Sequence, residues 1–308
     1  MKIAYFDCFA GISGDMCLGA LVDAGVDFAV LREELAKLPV DGYEIRQEKT
    51  RPNGITAENI FVEVREKDQP ERHLADIEQI IGQSSLPEDV KKKSMAVFQR
   101  LAVAEAHVHD TLPERIHFHE VGAVDAIVDV VGTVLGLSLL GVEKVYASPL
   151  PLGKGFIECR HGIIPSPAPA TLEVLKNVPV YGTGIEGELV TPTGAALAFT
   201  LASEFIPFPP MVIETVGYGS GKKKMRHPNL LRLVLGQSYE GTTAGLPTCH
   251  RTAEHAHTHG HVHTHAHAHG HDGEHEHRHG PAPEHDHPVG HERGEGHDQP
   301  LKARPLIR

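Results

Sequence analysis

Positive charge is scarce in this 308-residue sequence: 29 Lys+Arg stand against 41 Asp+Glu, a formal net charge of −12. Non-specific nucleic-acid binding needs a basic footprint, so that class is excluded. Cysteine is scarce as well. Cys8, Cys17, Cys159 and Cys249 form no C-x-x-C pair and no regular framework, which excludes a disulfide scaffold and predicts a reduced, cytoplasmic setting. The opening stretch MKIAYFDCFAGISGDM has acidic and polar residues where a secretory signal needs an unbroken apolar core. No clean membrane span exists either. The longest apolar stretch, 121–142, holds Asp125 and Asp129, each costing about 2.5–3.5 kcal/mol on insertion scales. Nucleotide fingerprints are missing too: no Walker lysine follows Gly11 or Gly14, and no G-x-G-x-x-G opens a helix.

What is present divides near residue 240. Residues 241–308 hold 17 of the 24 histidines and no other aromatic residue. Such a composition cannot bury enough apolar surface to offset its conformational entropy, so a disordered His-rich tail is expected. Residues 1–240 are apolar enough to fold as one large domain or two modest ones. Their periodicity predicts strands over 2–6, 43–49, 55–65, 142–147, 211–218 and 230–235. It predicts helices over 15–24, 28–38, 73–81, 87–109, 120–140, 171–176 and 193–204. The Pro- and Gly-rich segment 148–169 reads as a long ordered loop or hairpin. Interleaved strands and helices mean an α/β or α+β mixed body, whose strand order the pattern leaves open.

In the tail, His255, His257, His259, His261, His263, His265, His267, His269 and His271 alternate with Ala, Thr, Gly and Val. Neutral imidazoles bind Ni²⁺, Zn²⁺ and Cu²⁺, and a flexible ribbon adapts its spacing to the ion. A purification tag would be a uniform run; this tract is interrupted and reads as a metal reservoir.

Within the body, His117 and His119 bracket Phe118, with Glu120, Asp125 and Asp129 beyond them. An extended His-x-His presents both rings on one face, as shared metal ligation requires. Gly122, Asp125, Asp129, Gly132 and Gly136 then form one narrow stripe on an apolar helix. Two carboxylates there need partners: a metal, a cationic ligand or an arginine. The alternative is a close helix–helix contact with both carboxylates paired to basic side chains. The segment from Asp7 through Gly11, Ser13 and Gly14 to Asp15 joins a strand to a helix N-terminus, a favourable anion site. Asp7 and Asp15 there could hold a metal, or Asp15 could cap the helix. Two weaker signals follow. Cys159 and His161 are possible ligands on a loop, and Lys222, Lys223, Lys224 and Arg226 could receive a phosphate or carboxylate or form a solvated turn.

Together, DCFAGISGDM (7–16), HFHEVGAVDAIVDVVG (117–132), PLPLGKGFIECRHGIIPSPAPATLEVL (149–175), ELVTPTGAAL (188–197), GYGSGKKK (217–224) and PNLLR (228–232) resemble the LarC family of nickel insertion proteins. The His-rich tract lies where that family carries it. The resemblance covers about residues 1–240 and implies a lyase-type nickel chelatase. Its reaction is insertion of Ni²⁺ into pyridinium-3,5-bisthiocarboxylic acid mononucleotide, with two Ni–S bonds and one Ni–C bond formed. CTP hydrolysis, assisted by Mn²⁺ or Mg²⁺, drives it, and the nickel-pincer product serves lactate racemase-type enzymes. The implied partners are the mononucleotide, the C-terminal half that carries the CTP site, the apo-enzyme receiving the cofactor, and a possible second copy of the chain. Family members continue beyond the His-rich tract, and residues 300–308 fit an out-of-frame or truncated end. The base that removes the ring proton would be Asp125, Glu120 or His161. Nickel ligation would draw on His117, His119, Asp129, Asp7 and the tail. The substrate phosphate would meet Gly11, Ser13, Gly14 and Asp15, or Lys222 and Arg226. Two other classes stay open: a nickel storage or trafficking protein, and a metal-dependent hydrolase using His117, His119, Asp125 and Asp7.

Overall fold

The run KIAYFD is buried from Ile3 to Phe6 and forms the first strand, β1 (Lys2–Asp7). Helix α1 (Gly14–Asp23) follows. It stops where Gly25 takes φ 115°, and the Gly25 and Val26 N–H groups turn back onto the Val22 and Leu21 carbonyls, each at 3.0 Å. Helix α2 (Phe28–Leu35) starts at Asp27, whose carboxylate accepts from the Ala29 and Val30 N–H groups at 2.8 and 3.3 Å. Strands β2 (Tyr43–Thr50) and β3 (Ala57–Val64) pair antiparallel across a turn at Pro52–Gly54. Helices α3 (Leu74–Gln83), α4 (Glu88–Val108) and α5 (Val124–Leu139) precede strand β4 (Lys144–Ala147).

The 148–169 segment forms strand β5 (Leu150–Lys154) and a hairpin of β6 (Phe156–Cys159) and β7 (Gly162–Pro165). After α6 (Pro169–Val174), strand β8 (Val180–Glu186) pairs parallel with β5; its glycines and mostly exposed side chains hid it from periodicity. Helix α7 (Pro192–Leu201) ends three residues before the expected 204. The Ser203 N–H bonds the Val145 carbonyl at 2.8 Å, and β9 (Glu204–Phe205) leaves as an edge strand beside β4. Sheet pairing there outweighs local helix propensity. Strands β10 (Met211–Ser220) and β11 (Leu230–Ser238) complete the body.

Seven strands form one mixed sheet in the order β2-β3-β10-β11-β1-β4-β9. Strand β1 runs parallel to β4 and antiparallel to β11, so the fold class is a mixed α/β body, as the sequence predicts. The structure describes residues 1–65, 71–118 and 123–239 of a computed structural model. Met1–Pro247 and Thr248–Arg308 are separate units, and all described residues belong to the first. The tail histidines therefore lie outside the described residues, as do His119 and Glu120. Among the described residues, no helix is long and apolar enough to cross a membrane.

Helix α1 lies directly on the sheet through glycine. A Cβ at Gly219 would stand 1.8 Å from the Met16 carbonyl oxygen, and one at Gly217 2.2 Å from that of Ala20. The glycines of GYGSG thus serve close helix–sheet packing. Gly219→Ala is expected to destabilise the body by roughly 1–3 kcal/mol through overpacking. An unchanged denaturant midpoint would show that α1 can lift away without cost.

Candidate functional site

The α1 N-terminus is held by tight backbone pairing. The Ile12 N–H bonds the Leu189 carbonyl at 3.0 Å, and the Thr191 N–H bonds the Ile12 carbonyl at 3.1 Å. Gly11 permits this approach: at φ 114°, a Cβ there would lie 2.0 Å from the Leu189 carbonyl oxygen. Thr191 caps α7, its hydroxyl accepting from the Gly194 N–H at 3.1 Å. The 11–15 loop and the 188–193 segment are thereby locked together.

Between them opens a cavity of about 290 Å³ lined by Ser13, Gly14, Asp15, Asp125, Asp129 and Glu188, with Lys222 and Lys223 at its side. Asp15 fills the helix N-terminus itself: its carboxylate accepts from the Met16 N–H at 3.0 Å and from the Ser13 hydroxyl. Lys222 Nζ stands 3.4 Å from Asp15 Oδ2. Asp125 is exposed, its Oδ1 accepting from the Ala126 N–H at 2.9 Å. Asp129 is partly buried, and its enclosed Oδ1 has no hydrogen-bond partner. Burial, then the Asp15 charge, hold its carboxyl well above the usual carboxylate range; Lys222 opposes the shift and Asp125 adds to it. A Cβ at Gly14 would meet Asp129 Oδ2 at 2.5 Å, so only glycine leaves room for that carboxylate.

The stripe on α5 therefore divides. Asp125 and Asp129 line the cavity, and Gly122 lies outside the described residues. The C-terminal half of the stripe is a close helix contact, with Cβ positions at Gly132 and Gly136 directed at Leu18 and Leu21.

Several predicted residues lie elsewhere. Asp7 pairs with Arg232, which donates from Nε at 2.8 Å and also from Nη2, and does not line the cavity. A metal-ligand role gives Asp7 no access to the carboxylate cluster, because the neighbouring strand supplies a cation first. Half-exposed His117 lies 3.8 Å from Glu71 Oε2, with its ring 3.9 Å from that of His73, and is also outside the cavity lining. His161 stacks near His109, centroids 5.0 Å apart, in an adjoining cavity of about 280 Å³ that shares Cys159 and Pro192 with the acidic one. Gly11 is spent on the backbone contact above, and Arg226 lines neither cavity. Burial pushes the Cys8 and Cys17 thiols up, which removes them as thiolates at neutral pH. Among the described residues, no three His, Cys, Asp or Glu side chains already stand around one point as a metal cage. Sequence reasoning missed Glu158, Glu188, Thr191 and Thr193 as cavity lining; the one signal there was the Thr191-Pro192 helix start.

The nickel insertion protein family matches residues 4–277. A relative from Desulfitobacterium hafniense (strain DSM 10664 / DCB-2), named a pyridinium-3,5-bisthiocarboxylic acid mononucleotide nickel insertion protein, is 56% identical over 237 residues, covering 77% of this chain and 59% of its own. One of the same name from Acetivibrio thermocellus is 50% identical over 250 residues, 78% of this chain and 61% of its own. A putative nickel insertion protein from Dictyoglomus thermophilum is 48% identical over 242 residues, 79% and 62%. The chain spans about six-tenths of the length of these curated relatives. No solved structure matches it. By the extent of the family match and the identity of these relatives, this chain belongs to the nickel insertion protein family.

Proposed function

We propose that this chain delivers Ni²⁺ to pyridinium-3,5-bisthiocarboxylic acid mononucleotide in the acidic cavity and takes part in inserting it there. The observation that carries the reading is the cluster of Asp15, Asp125 and Asp129, in which one carboxylate has an enclosed, unpartnered oxygen and is held above the usual carboxylate range. Oxygen donors hold Ni²⁺ loosely, and the softer thiocarboxylate sulfurs of the substrate draw it away. An open set of carboxylates suits a cargo ion that must leave. Forming the Ni–C bond converts a ring C–H pair into the metal–carbon pair and releases a proton, which needs a base. Asp125, exposed at the cavity, is that base. Glu120 lies outside the described residues, and His161 sits in the adjoining cavity. In reaction class this is a lyase-type nickel chelatase.

CTP with Mn²⁺ or Mg²⁺ belongs, in this reading, to the part of the relatives that the match does not cover. The product passes to an apo-enzyme of the lactate racemase type, and the buried free thiols Cys8 and Cys17 suit a reducing cytoplasm. A hydrolase built on His117, His119, Asp125 and Asp7 is not favoured, since Asp7 is committed to Arg232 and His117 faces Glu71 and His73. A storage protein needs no built cavity beside its reservoir.

The test is Asp125→Ala in a protein of the relatives' full length, assayed for insertion at saturating nickel. Loss of a positioned base predicts a rate lower by about 10²–10⁴-fold with the melting temperature nearly unchanged. Insertion at the wild-type rate per folded molecule would sink the assignment.

A further inference from the structure

A second cavity adjoins the acidic one and has the opposite character. It encloses about 540 Å³ between the 50–61 edge of β2 and β3 and the turn from β10 to β11. Arg51, Lys222, Lys223 and Lys224 line it, and no Asp or Glu does, in a chain whose net charge is −12. Two side chains in its wall lack hydrogen-bond partners at buried atoms: Asn59 Oδ1, on a residue only 3% exposed, and His227 Nε2. The aromatic ring in the wall is Phe61, with the Arg46 guanidinium 4.4 Å from its centroid and Lys222 Nζ at 5.8 Å.

The turn that carries the lysines is built, not loose. Asn229 Nδ2 donates to the Lys223 carbonyl at 3.0 Å, Asn53 Nδ2 to the Arg226 carbonyl at 3.1 Å, and the Gly221 N–H to the Asn229 carbonyl at 3.0 Å. Lys222 and Lys223 line both cavities. An acidic and a basic cavity thus share one wall.

The geometry points to a divided substrate site, in which the basic cavity takes the ribose phosphate of a pyridinium mononucleotide while its ring reaches the carboxylates past Lys222. The inference rests on the function proposed above and adds where each end of the substrate lies. A phosphate at the α1 N-terminus would face Asp15, Asp125 and Asp129; in the basic cavity it meets Arg51 and the lysines with no carboxylate in the lining. The Arg51 guanidinium and the lysine charges suit a phosphomonoester.

The experiment is calorimetric titration of the nickel-free chain with pyridinium-3-carboxylic acid mononucleotide, its nucleoside lacking the phosphate, inorganic phosphate and CTP. The variants are Arg51→Glu and Lys224→Glu, both at exposed positions outside the acidic cavity. The expected result is mononucleotide binding at least 10-fold tighter than nucleoside binding, lost by 10-fold or more in either variant. Nucleoside affinity and nickel stoichiometry should stay unchanged. Equal affinity for nucleotide and nucleoside, indifference to both variants, or preferential binding of CTP over the mononucleotide would overturn the assignment. Failure of nickel insertion with this binding pattern intact would instead sink only the reading of the acidic cavity.

Discussion

Asp129→Asn, in a protein of the relatives' full length, is expected to abolish nickel insertion and to raise the melting temperature at pH 7. The two effects share one cause. Asp129 is partly buried, its enclosed Oδ1 has no partner, and burial with the Asp15 charge lifts its carboxyl well above the usual range. A group whose folded pKa exceeds its unfolded value contributes stability that is fully present below about pH 4 and is lost as pH rises through the folded pKa. Asparagine keeps the shape and removes that dependence. Wild type and variant should therefore match in stability near pH 4 and diverge as pH rises, with the variant ahead. In a chain of this size the gain reads as about 2–4 °C for each kcal/mol of relieved burial cost. Nickel reverses the balance in the wild type, because ligation favours the ionised carboxylate and releases a proton, so affinity at this cavity should climb with pH. Thermal melts from pH 4 to 8, with and without Ni²⁺, check all of this. A variant less stable than wild type at pH 7, or one that still inserts nickel, would remove Asp129 from the site.

The second large effect concerns the tail. A chain ending near residue 245 is expected to lose nearly all of the nickel stoichiometry of the 308-residue chain while keeping a cooperative melt. The alternating imidazoles from His255 to His271 are nine potential ligands, and each ligates only when neutral. Binding by the long chain should accordingly collapse below about pH 6. Body folding should not depend on it, since every element of the sheet lies before residue 239. At abundant nickel the insertion rate should survive the deletion, because a reservoir raises supply without shaping the site. Equal stoichiometry with and without the tail would place the main nickel sites in the body. Loss of cooperative melting would put the domain boundary elsewhere.

Local pattern carried a good deal of this. The apolar run before Asp7, the Gly25 stop and the Thr191-Pro192 start mark the ends of β1, α1 and α7 because each depends on backbone chemistry within a few residues. The mixed α/β body follows from elements read in this way. The acidic stripe of Asp125 and Asp129 was visible as spacing on one helix, and the lysine run as composition. His117 and Asp7 carried the right chemistry for metal ligation, but their nearest partners, Glu71, His73 and Arg232, come from other elements. No spacing rule reaches across those distances in sequence.

The amino-acid sequence by itself determined the division into body and His-rich tail, the kind of elements in the body, and which residue types were available for chemistry. Tertiary structure decided which of them meet. Lys222 is 207 residues from Asp15 in the chain and 3.4 Å from it in space. That meeting depends on β10 lying beside β3 and on Gly217 and Gly219 admitting α1 to the sheet. The glycines could be counted in advance, but the strand order could not, because mixed pairing is set by competition among all strands at once. The same packing lifts the Asp129 carboxyl above the usual carboxylate range. That carboxylate is ordinary in sequence and comes to line the acidic cavity only because Gly14 leaves room for it beside Asp15.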